Sequence, residues 1–460
     1  MSACISSSVT AELLNSIATI VGPANIKTDA PFLRSGSRDC FHFSPVLIPQ
    51  LENCQADAIV YPADEQELVK VIATAVAARV PIIPRGGGTG NYGQGVPMQG
   101  GLLINTRRMN RIFTLNSDIA HVAAGVNLWT IEKEAAAFGA ELRMFPSTIR
   151  TSSAAGFITG GSGGVGSVHW GMLRDRDNIR HARAVTIEAE PRCLDLASAD
   201  ELRDVLHNCG LTAFVSEVTF ALAPKTQWQQ YIYAFDDFGT ALAWGEQLAN
   251  DDSLLKRLTT VFEWPIPSYF TPLVKRDGCP PGKALLFLMT DLQPAAMQLI
   301  MTDSGAQLSF HQAPDADDNA RGFQIYDFTW NHTTQWAMKY DSGLTYLQDM
   351  FDRNKLASQL QARRERFGDQ VTTHIEFIRG GDGVVRPGGL SIVRYQGKEQ
   401  LWDLIQWCEA NGIRIANPHT HYLDDDIRWF GDNMLAAKKR WDPHQLLNPG
   451  HLHALEAGSA

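Results

Sequence analysis

The sequence predicts an α+β fold built from two domains, and three observations support this prediction. The chain has 460 residues, too many for one compact core. Up to Leu222, strand-like and helix-like runs alternate around two glycine-rich segments. After Pro224-Lys225, strand candidates separated by helical stretches are typical of a sheet covered on one face by helices.

The first domain is predicted from runs whose apolar residues follow either the helical or the alternating period. Asp64 with Glu67 three residues later is a capping-box arrangement, which marks a helix start. In chain order, the predicted elements are a helix over 10–21, a strand over 57–61, a helix over 64–78, strands over 80–83, 102–104, 112–115 and 120–123, a helix over 127–138, and strands over 182–189, 193–196 and 212–222.

The second domain combines predicted strands with many aromatic residues. Polar Asn331 and His332, which lie among tryptophans, are candidate pocket residues. Arginines that can bind a carboxylate through two parallel hydrogen bonds are Arg379, Arg386 and Arg394. The predicted strands cover 231–235, 285–289, 307–310 and 391–395.

The glycine-rich segment from Pro84 to Gly95 (PRGGGTGNYGQG) is the most informative motif of the chain. Consecutive glycines let main-chain N–H groups converge on an anion, and Arg85 adds a positive charge. No Lys-Ser or Lys-Thr follows the last glycine, which excludes a P-loop. The segment continues into a strand instead of a helix, which excludes the usual dinucleotide fingerprint. The ligand that this loop predicts is the diphosphate of a dinucleotide cofactor.

The composition narrows the classes of function. A formal net charge of −10 argues against a nucleic-acid partner, since a phosphate backbone requires a basic surface. No apolar run reaches the roughly 20 residues that span a membrane. The first residues carry no basic or apolar leader segment, and the seven scattered cysteines lack CxxC spacing. These features predict a cytoplasmic protein with reduced thiols.

Four segments resemble the FAD-dependent oxidoreductases of the vanillyl-alcohol oxidase type, which include glycolate oxidase D-subunits and D-lactate dehydrogenases. They occur in the family's order: 85–90 (RGGGTG), 156–164 with Trp170-Gly171 and 174–179, 210–224 (GLTAFVSEVTFALAP), and 441–450 (WDPHQLLNPG). The resemblance implies a two-subdomain PCMH-type FAD-binding domain over 1–225. It also implies an inserted substrate-binding cap over 226–410, an antiparallel sheet covered by helices, and a return to the FAD-binding domain over 411–460.

The resemblance further implies which residues hold FAD. The first loop would bind the diphosphate, the second would approach the flavin or the phosphates, and Val215 would lie at the adenine edge. Thr89 stands where some relatives carry the histidine that bonds to the flavin, so we expect non-covalent FAD, with a link through a C-terminal histidine left open. The expected FAD-binding residues are Arg85, Gly86, Gly87, Gly88, Thr89, Gly90, Asn91, Ser147, Thr148, Gly160, Gly161, Ser162, Gly164, Gly166, Val215 and Asn448.

The implied reaction is oxidation of a CH–OH group, in which a hydride goes to flavin N5 while a base takes the hydroxyl proton. Histidine is a suitable base at neutral pH. His419 is the first candidate, because it resembles the histidine of a Pro-His pair in alditol-oxidising relatives, and His421 and His332 follow. The pair His419-x-His421 with the acidic run 424–426 also admits a metal site, but such a run is more typical of a solvated helix start, so no metal is expected.

A small 2-hydroxy acid is the predicted substrate, while the electron acceptor (oxygen, quinone or carrier protein) and the oligomeric state stay open. An alcohol, a sugar alcohol or a phenol is the alternative, because the GDGN motif of hydroxy-acid relatives is missing and aromatic residues crowd the cap. An NADPH-dependent reductase of the same fold and a flavin-binding protein without turnover are further alternatives.

Overall fold

The computed structural model describes residues 9–175, 177–314, 323–425 and 430–456. The strands are β1 Ile26–Lys27, β2 Ala58–Val60, β3 Ile82–Arg85, β4 Leu102–Asn105, β5 Ile112–Leu115, β6 Ile119–Ala123, β7 Ala140–Leu142, β8 Ile179–Val185, β9 Cys193–Leu196, β10 Phe214–Pro224, β11 Gln229–Phe235, β12 Lys256–Phe262, β13 Ala284–Thr290, β14 Gln307–Gln312, β15 Leu344–Tyr346, β16 Asp349–Met350, β17 Val371–Thr372, β18 His374–Arg379, β19 Val385–Gly389, β20 Ile392–Arg394 and β21 Arg414–Ile415. The helices are α1 Ala11–Val21, α2 Ala30–Gly36, α3 Ile48–Leu51, α4 Glu65–Ala77, α5 Leu128–Ala135, α6 Ala154–Gly160, α7 Ser167–Trp170, α8 Ala199–Arg203, α9 Phe238–Asn250, α10 Thr271–Val274, α11 Pro294–Ile300, α12 Asn331–Tyr340, α13 Leu356–Phe367, α14 Lys398–Ala410, α15 Asp432–Trp441 and α16 His453–Glu456.

The first domain contains two sheets. The smaller has the strand order β1-β2-β4-β3, with β4 parallel to both β2 and β3. The larger has the order β5-β6-β10-β8-β9, and β7 pairs with the end of β10. Between β2 and β3, α4 begins where the Asp64 carboxylate accepts a hydrogen bond from Glu67 N at 2.9 Å. This contact satisfies one of the free donors of the first helical turn, as the sequence pattern predicts.

The cap domain is built on an antiparallel sheet with the order β14-β11-β13-β12-β18-β19-β16-β21. One face packs against α9 and α14 through a core that includes Leu242, Leu286 and Leu404. Phe262 and Phe287 belong to a core that is continuous with the first domain. Leu286 and Phe287 point to opposite faces because side chains alternate along a strand. The predicted α+β fold, with a sheet covered by helices, is confirmed.

A buried ion-pair cluster joins the two domains. Arg257 on β12 lies 3.0 Å from the Glu132 carboxylate and 3.3 Å from that of Glu141, both in the first domain. Its guanidinium also donates a hydrogen bond to Leu142 O at 2.9 Å. Removing one partner of such a cluster would leave an uncompensated buried charge. The cluster therefore fixes the cap sheet against the first domain.

After the cap, the chain returns to the first domain. β21 is the edge strand of the cap sheet and pairs with β16, so the chain leaves that sheet after Ile415, later than position 410. Ile82 N donates to Leu446 O, and Asn448 N donates to Ile82 O, both at 2.7 Å. The C-terminal segment thus lies against β3, the strand that leads into the glycine-rich motif. No helix within the described ranges is long and apolar enough to cross a membrane.

Candidate active site

The glycine loop, residues 85–91, leaves the carboxyl end of β3 beside the parallel strand β4. Ligands of sheets with parallel strands bind outside these carboxyl ends. Within the described residues, none of the main-chain N–H groups of residues 87–91 donates a hydrogen bond to another protein atom. The loop therefore offers a series of free donors at the sheet edge, which suits a diphosphate.

Glycine is required in this loop because a neighbouring segment packs directly against it. A Cβ atom on Gly86 would lie 2.1 Å from Ser153 Oγ, and one on Gly87 would lie 2.1 Å from Thr151 O. Gly88 has a φ of +68°, a left-handed conformation that other residues rarely adopt. The two segments approach each other so closely that any side chain at these positions would displace one of them.

Ser147 and Thr148, which the resemblance places near the flavin, line the same cavity as the glycine loop. Ser152 connects their segment to the loop. Its Oγ lies 2.8 Å from Thr148 Oγ1 and 3.2 Å from Thr89 Oγ1. The hydroxyl groups of the two segments thus form one polar wall.

The second glycine loop, residues 160–166, divides into two parts. Its first part lines the cavity with Gly160, Gly161 and Ser162. Gly164 and Gly166 lie outside the cavity lining, and a Cβ atom on either would lie 2.1 Å from a main-chain oxygen, that of Phe145 or Arg143 respectively. These two glycines permit close packing of the loop, and they are not placed to contact a ligand in the cavity.

Val215 lines the cavity from β10. There the pairing of β10 with β8 shifts between Val215 and Glu217. Such a bulge disturbs the regular ladder and re-aims the side chains around it. The position is consistent with the implied contact to one edge of a cofactor ring.

Arg85 provides a buried positive charge beside the glycine loop. Its Nη2 donates to Arg38 O, while its Nη1 is buried without a hydrogen-bond partner among the described residues. Burial lowers the pKa of the guanidinium, and the nearby Asp39 opposes this effect. Burial also raises the pKa of Asp39 to about 6, against the influence of Arg85. The free nitrogen of Arg85 is available to an anion in the cavity.

The cavity has a volume of about 500 Å³ and lies between the two domains. One wall consists of the glycine loop, the segment 146–163 and the residues 213–215. A second wall comes from the cap and includes Trp330 and Asn331 at the start of α12. A volume of this size is within the range of roughly 300–1,000 Å³ that is typical of ligand sites.

The cap wall contains a set of residues that lie directly opposite one another on five successive strands. In order, this cap row is Thr260, Glu376, Gly388, Met350 and Arg414. Residues paired in this way point to the same face of a sheet. All members of the cap row except Thr260 line the cavity. The row therefore places a carboxylate and a guanidinium on one wall.

Arg414 is the cation of this wall that has no charged partner. No described residue forms a hydrogen bond or an ion pair with its exposed guanidinium. Three strand steps of about 4.8 Å separate Arg414 from Glu376, so their Cα atoms are roughly 14 Å apart. This spacing leaves room for a small acid between the two charged groups.

The three arginines that the sequence suggested as carboxylate clamps lie outside the cavity lining. Arg379 contacts Asp252 at 2.7 Å and also donates to two main-chain oxygens. Arg386 pairs with Asp382 at 2.5 Å, and Arg394 pairs with an aspartate at 3.0 Å. Their charges are already matched within the cap.

The three histidines proposed as bases also lie outside the cavity lining. His419 is buried, with Nδ1 2.8 Å from Ser44 Oγ and Nε2 2.9 Å from Tyr346 O, so both ring nitrogens are engaged. His421 packs beside Tyr422, and its buried Nδ1 has no partner among the described residues. His332 lies in the first turn of α12, next to Asn331, which does line the cavity.

In the part of the chain that is described, no group of three or more His, Cys, Asp or Glu side chains is arranged to hold a metal ion. Asp426 of the acidic run is outside the described residues.

We expect His419 to contribute to the loss of stability at acidic pH. Burial lowers the pKa of His419 from 6.5 to about 4. Below pH 6.5 the His419 ring is protonated in the unfolded chain but stays neutral in the folded protein. The free energy of unfolding therefore decreases as the pH falls from 6.5 toward 4. This contribution is about 2 kcal/mol between pH 7 and pH 5. Thermal unfolding at both pH values should show a smaller acid-induced loss for His419→Gln than for the native protein. Equal losses would contradict this role.

Asn448 lies behind the glycine loop and does not line the cavity. Its Nδ2 donates to Gln94 O at 2.6 Å and approaches Cys209 O at 3.5 Å. Gln94 and Cys209 both line the cavity. Asn448 thus supports the main chain of two lining residues from the C-terminal segment.

Sequence reasoning missed the charged residues of the cap wall. The run His374-Ile375-Glu376-Phe377 has the alternating pattern of a half-buried strand, and this signal would have indicated β18 and the polar face of Glu376. Nothing near Arg414 distinguishes it from a surface arginine, because β21 is only two residues long. Its role depends on strand pairing that spans distant parts of the chain.

The residues of the cavity fit an FAD. Several lining residues have buried polar atoms without a partner among the described residues: Arg85 Nη1, Asn91 Nδ2, Trp330 Nε1 and Asn331 Oδ1. Buried polar atoms are normally hydrogen-bonded, so such a concentration along one cavity indicates a polar ligand. Together with the free N–H groups of the glycine loop, these atoms match the phosphates and ring edges of a dinucleotide.

Comparisons with known proteins agree with this fit. A family model described as an FAD binding domain matches residues 56–191. The chain is 24% identical over 434 residues to glycolate oxidase subunit GlcD of Bacillus subtilis (strain 168), which covers 89% of this chain and 91% of that protein. It is 28% identical over 141 residues to a D-lactate dehydrogenase of Archaeoglobus fulgidus, which covers 30% of this chain and 31% of that protein. A solved structure of alkyldihydroxyacetonephosphate synthase has the same fold, with a TM-score of 0.73, 16% identity, and coverage of 96% of this chain and 85% of that chain. These matches show an FAD-binding domain over residues 56–191 of an FAD-dependent oxidoreductase, and they agree with the resemblance of the four sequence segments.

Proposed function

We propose that this protein oxidises the CH–OH group of a small 2-hydroxy acid to the 2-oxo acid. Bound FAD supplies the hydride acceptor for this reaction. The observation that carries the proposal is the unpaired Arg414 guanidinium in the cap row, in the same cavity as the glycine loop. A guanidinium binds a carboxylate through two parallel hydrogen bonds, which selects an acid over an alcohol.

The residues of the chain have distinct tasks in this proposal. The glycine loop, Ser147, Thr148 and the first part of the second loop hold the cofactor. Arg414 orients the carboxylate of the substrate, and Asn331 offers a further polar contact from α12. The proteins named glycolate oxidase subunit and D-lactate dehydrogenase act on acids of this class, which supports the choice.

The flavin is proposed to be held without a covalent bond through the first loop, because Thr89 occupies the position of the bonding histidine in some relatives. A cytoplasmic location is proposed as well. The six described cysteines are free thiols, which is typical of a reducing compartment.

Anaerobic bleaching of the bound flavin tests the proposed function. Glycolate and both lactate enantiomers are compared with propane-1,2-diol, which replaces the carboxylate of lactate by a hydroxymethyl group, and with a phenolic alcohol and NADPH. Two charge-assisted hydrogen bonds contribute about 3 kcal/mol, so at least one hydroxy acid should bleach the flavin roughly 100-fold more efficiently than the diol. Faster bleaching by the diol or the phenol would favour the alcohol alternative, and bleaching by NADPH alone would favour a reductase.

A further inference from the structure

We propose that Glu376 accepts the hydroxyl proton of the substrate. This inference rests on the proposed function, because it assigns a residue to that same oxidation. Glu376 lines the cavity, is 2% exposed, and belongs to the cap row that also contains Arg414. A substrate whose carboxylate binds Arg414 therefore extends along the row toward the carboxylate of Glu376.

The hydrogen bonds of Glu376 leave one acceptor position free. Oε1 accepts from Trp330 N at 2.8 Å and lies 3.0 Å from His374 Nε2, and Oε2 accepts from Thr260 Oγ1 at 2.5 Å. A carboxylate has about four lone-pair sites. Three are used by these donors, so the remaining one, on Oε2, can receive a hydroxyl proton. The same three contacts hold the carboxylate in a fixed orientation.

Other acidic groups of the cavity are placed less favourably. Asp349 pairs with Gly389 and Ile415, one position out of step with the cap row, so its side chain points to the opposite face of the sheet. There its Oδ2 binds Arg363 at 3.0 Å, behind the cavity wall. Asp39 and Asp175 come from loops of the first domain, on the cofactor side. Glu376 is the carboxylate that the cap row directs toward the substrate.

The chemical step balances with FAD as the oxidant. The C–H bond of the substrate breaks, and its electron pair leaves with the hydrogen as a hydride to the flavin. The O–H bond breaks, and its proton goes to Oε2 of Glu376. The electron pair of that O–H bond forms the second bond of the carbonyl group, which gives the 2-oxo acid. Glu376 then returns its proton to solvent when the product leaves.

The variant Glu376→Gln tests this assignment, because an amide keeps the shape of the side chain and cannot take the proton. Three quantities are measured for each protein: the bound FAD, the affinity for the 2-oxo acid product from its effect on the flavin spectrum, and the rate of anaerobic bleaching by the hydroxy acid. Glu263→Gln is the matched control. Its carboxylate lies outside the cavity lining and accepts a hydrogen bond from Thr373 N, just before β18, at 2.8 Å.

We expect Glu376→Gln to bind FAD and the 2-oxo acid like the native protein but to bleach at least about 100-fold more slowly, as removal of a general base does. Glu263→Gln should bleach at the native rate. If Glu376→Gln loses its FAD, Glu376→Asp replaces it, since the shortened carboxylate should also slow bleaching without weakening product binding. Native bleaching rates in either variant would overturn the role of Glu376. Failure of every hydroxy acid to bleach the native protein would instead overturn the proposed function.

Discussion

Replacing Gly87 by alanine is expected to remove bound FAD from the purified protein. The added Cβ atom would lie 2.1 Å from Thr151 O and 3.1 Å from Ser152 Cα, so two main-chain segments would have to separate. Both segments line the cofactor side of the cavity, and their separation would misalign the free N–H groups of the glycine loop. Overpacking of this kind costs up to about 3 kcal/mol, which weakens FAD binding roughly 100-fold. The measurement is the dissociation constant of FAD for the apoprotein, followed by flavin fluorescence.

Gly278→Ala is the control for this substitution. Gly278 lies outside the cavity lining, and a Cβ atom there would meet its nearest neighbour at 3.4 Å, an ordinary contact. This variant should retain FAD, whereas Gly87→Ala should lose it while keeping a cooperative unfolding transition. Undiminished FAD affinity in Gly87→Ala would show that the cofactor does not depend on the close approach of these two segments.

Arg414→Met is expected to destroy the preference for hydroxy acids. Methionine is unbranched and apolar, so the variant removes the guanidinium and its two hydrogen bonds while still filling part of the space. We expect kcat/KM for the hydroxy acid to fall roughly 100-fold, which corresponds to about 3 kcal/mol of lost charge-assisted bonding. The weak reaction with propane-1,2-diol should stay unchanged, because the diol has no carboxylate. Arg414→Lys should recover only part of the loss, since an ammonium group cannot form the bidentate contact.

Arg386→Met provides the matched control in the same sheet. Arg386 is paired with Asp382 on the exposed side of the cap and lies outside the cavity lining. Native kinetics with hydroxy acids are expected for this variant. If Arg414→Met also kept native kinetics, another group would have to bind the carboxylate.

Many helices and strands of the first domain could be predicted because short, local sequence patterns indicate them. The N-cap at Asp64 marks the start of α4, and the short apolar runs at β5 and β9 mark strands whose bounds the sequence indicated well. In the cap domain, the sequence-based prediction missed β12 and β18, although these strands are seven and six residues long, respectively. The residues of β12 are buried on both faces, so this strand lacks the polar alternation of a half-exposed strand. In β18 the alternation covers only residues 374–377, which is a short signal.

The cofactor side and the substrate side of the candidate site also differ in how far the sequence predicts them. The cofactor side is encoded in contiguous motifs, and most of its expected residues, including Gly86 and Ser147, line one cavity. The substrate side depends on the register of five strands that are far apart in sequence. Glu376 and Arg414 come to lie in one row only through that register. The resemblance of the Pro-His pair at His419 suggested a base, but both ring nitrogens of His419 form hydrogen bonds within the fold.

The visible absorption spectrum of the purified protein shows whether the glycine loop and its neighbouring segments bind FAD. It is recorded after incubation with excess FAD and removal of the free cofactor. We expect flavin absorption in the protein fraction at one FAD per chain, and release of that FAD into the supernatant on acid precipitation, because Thr89 cannot bond to it. A protein that stays colourless after this treatment would show that these segments do not bind FAD.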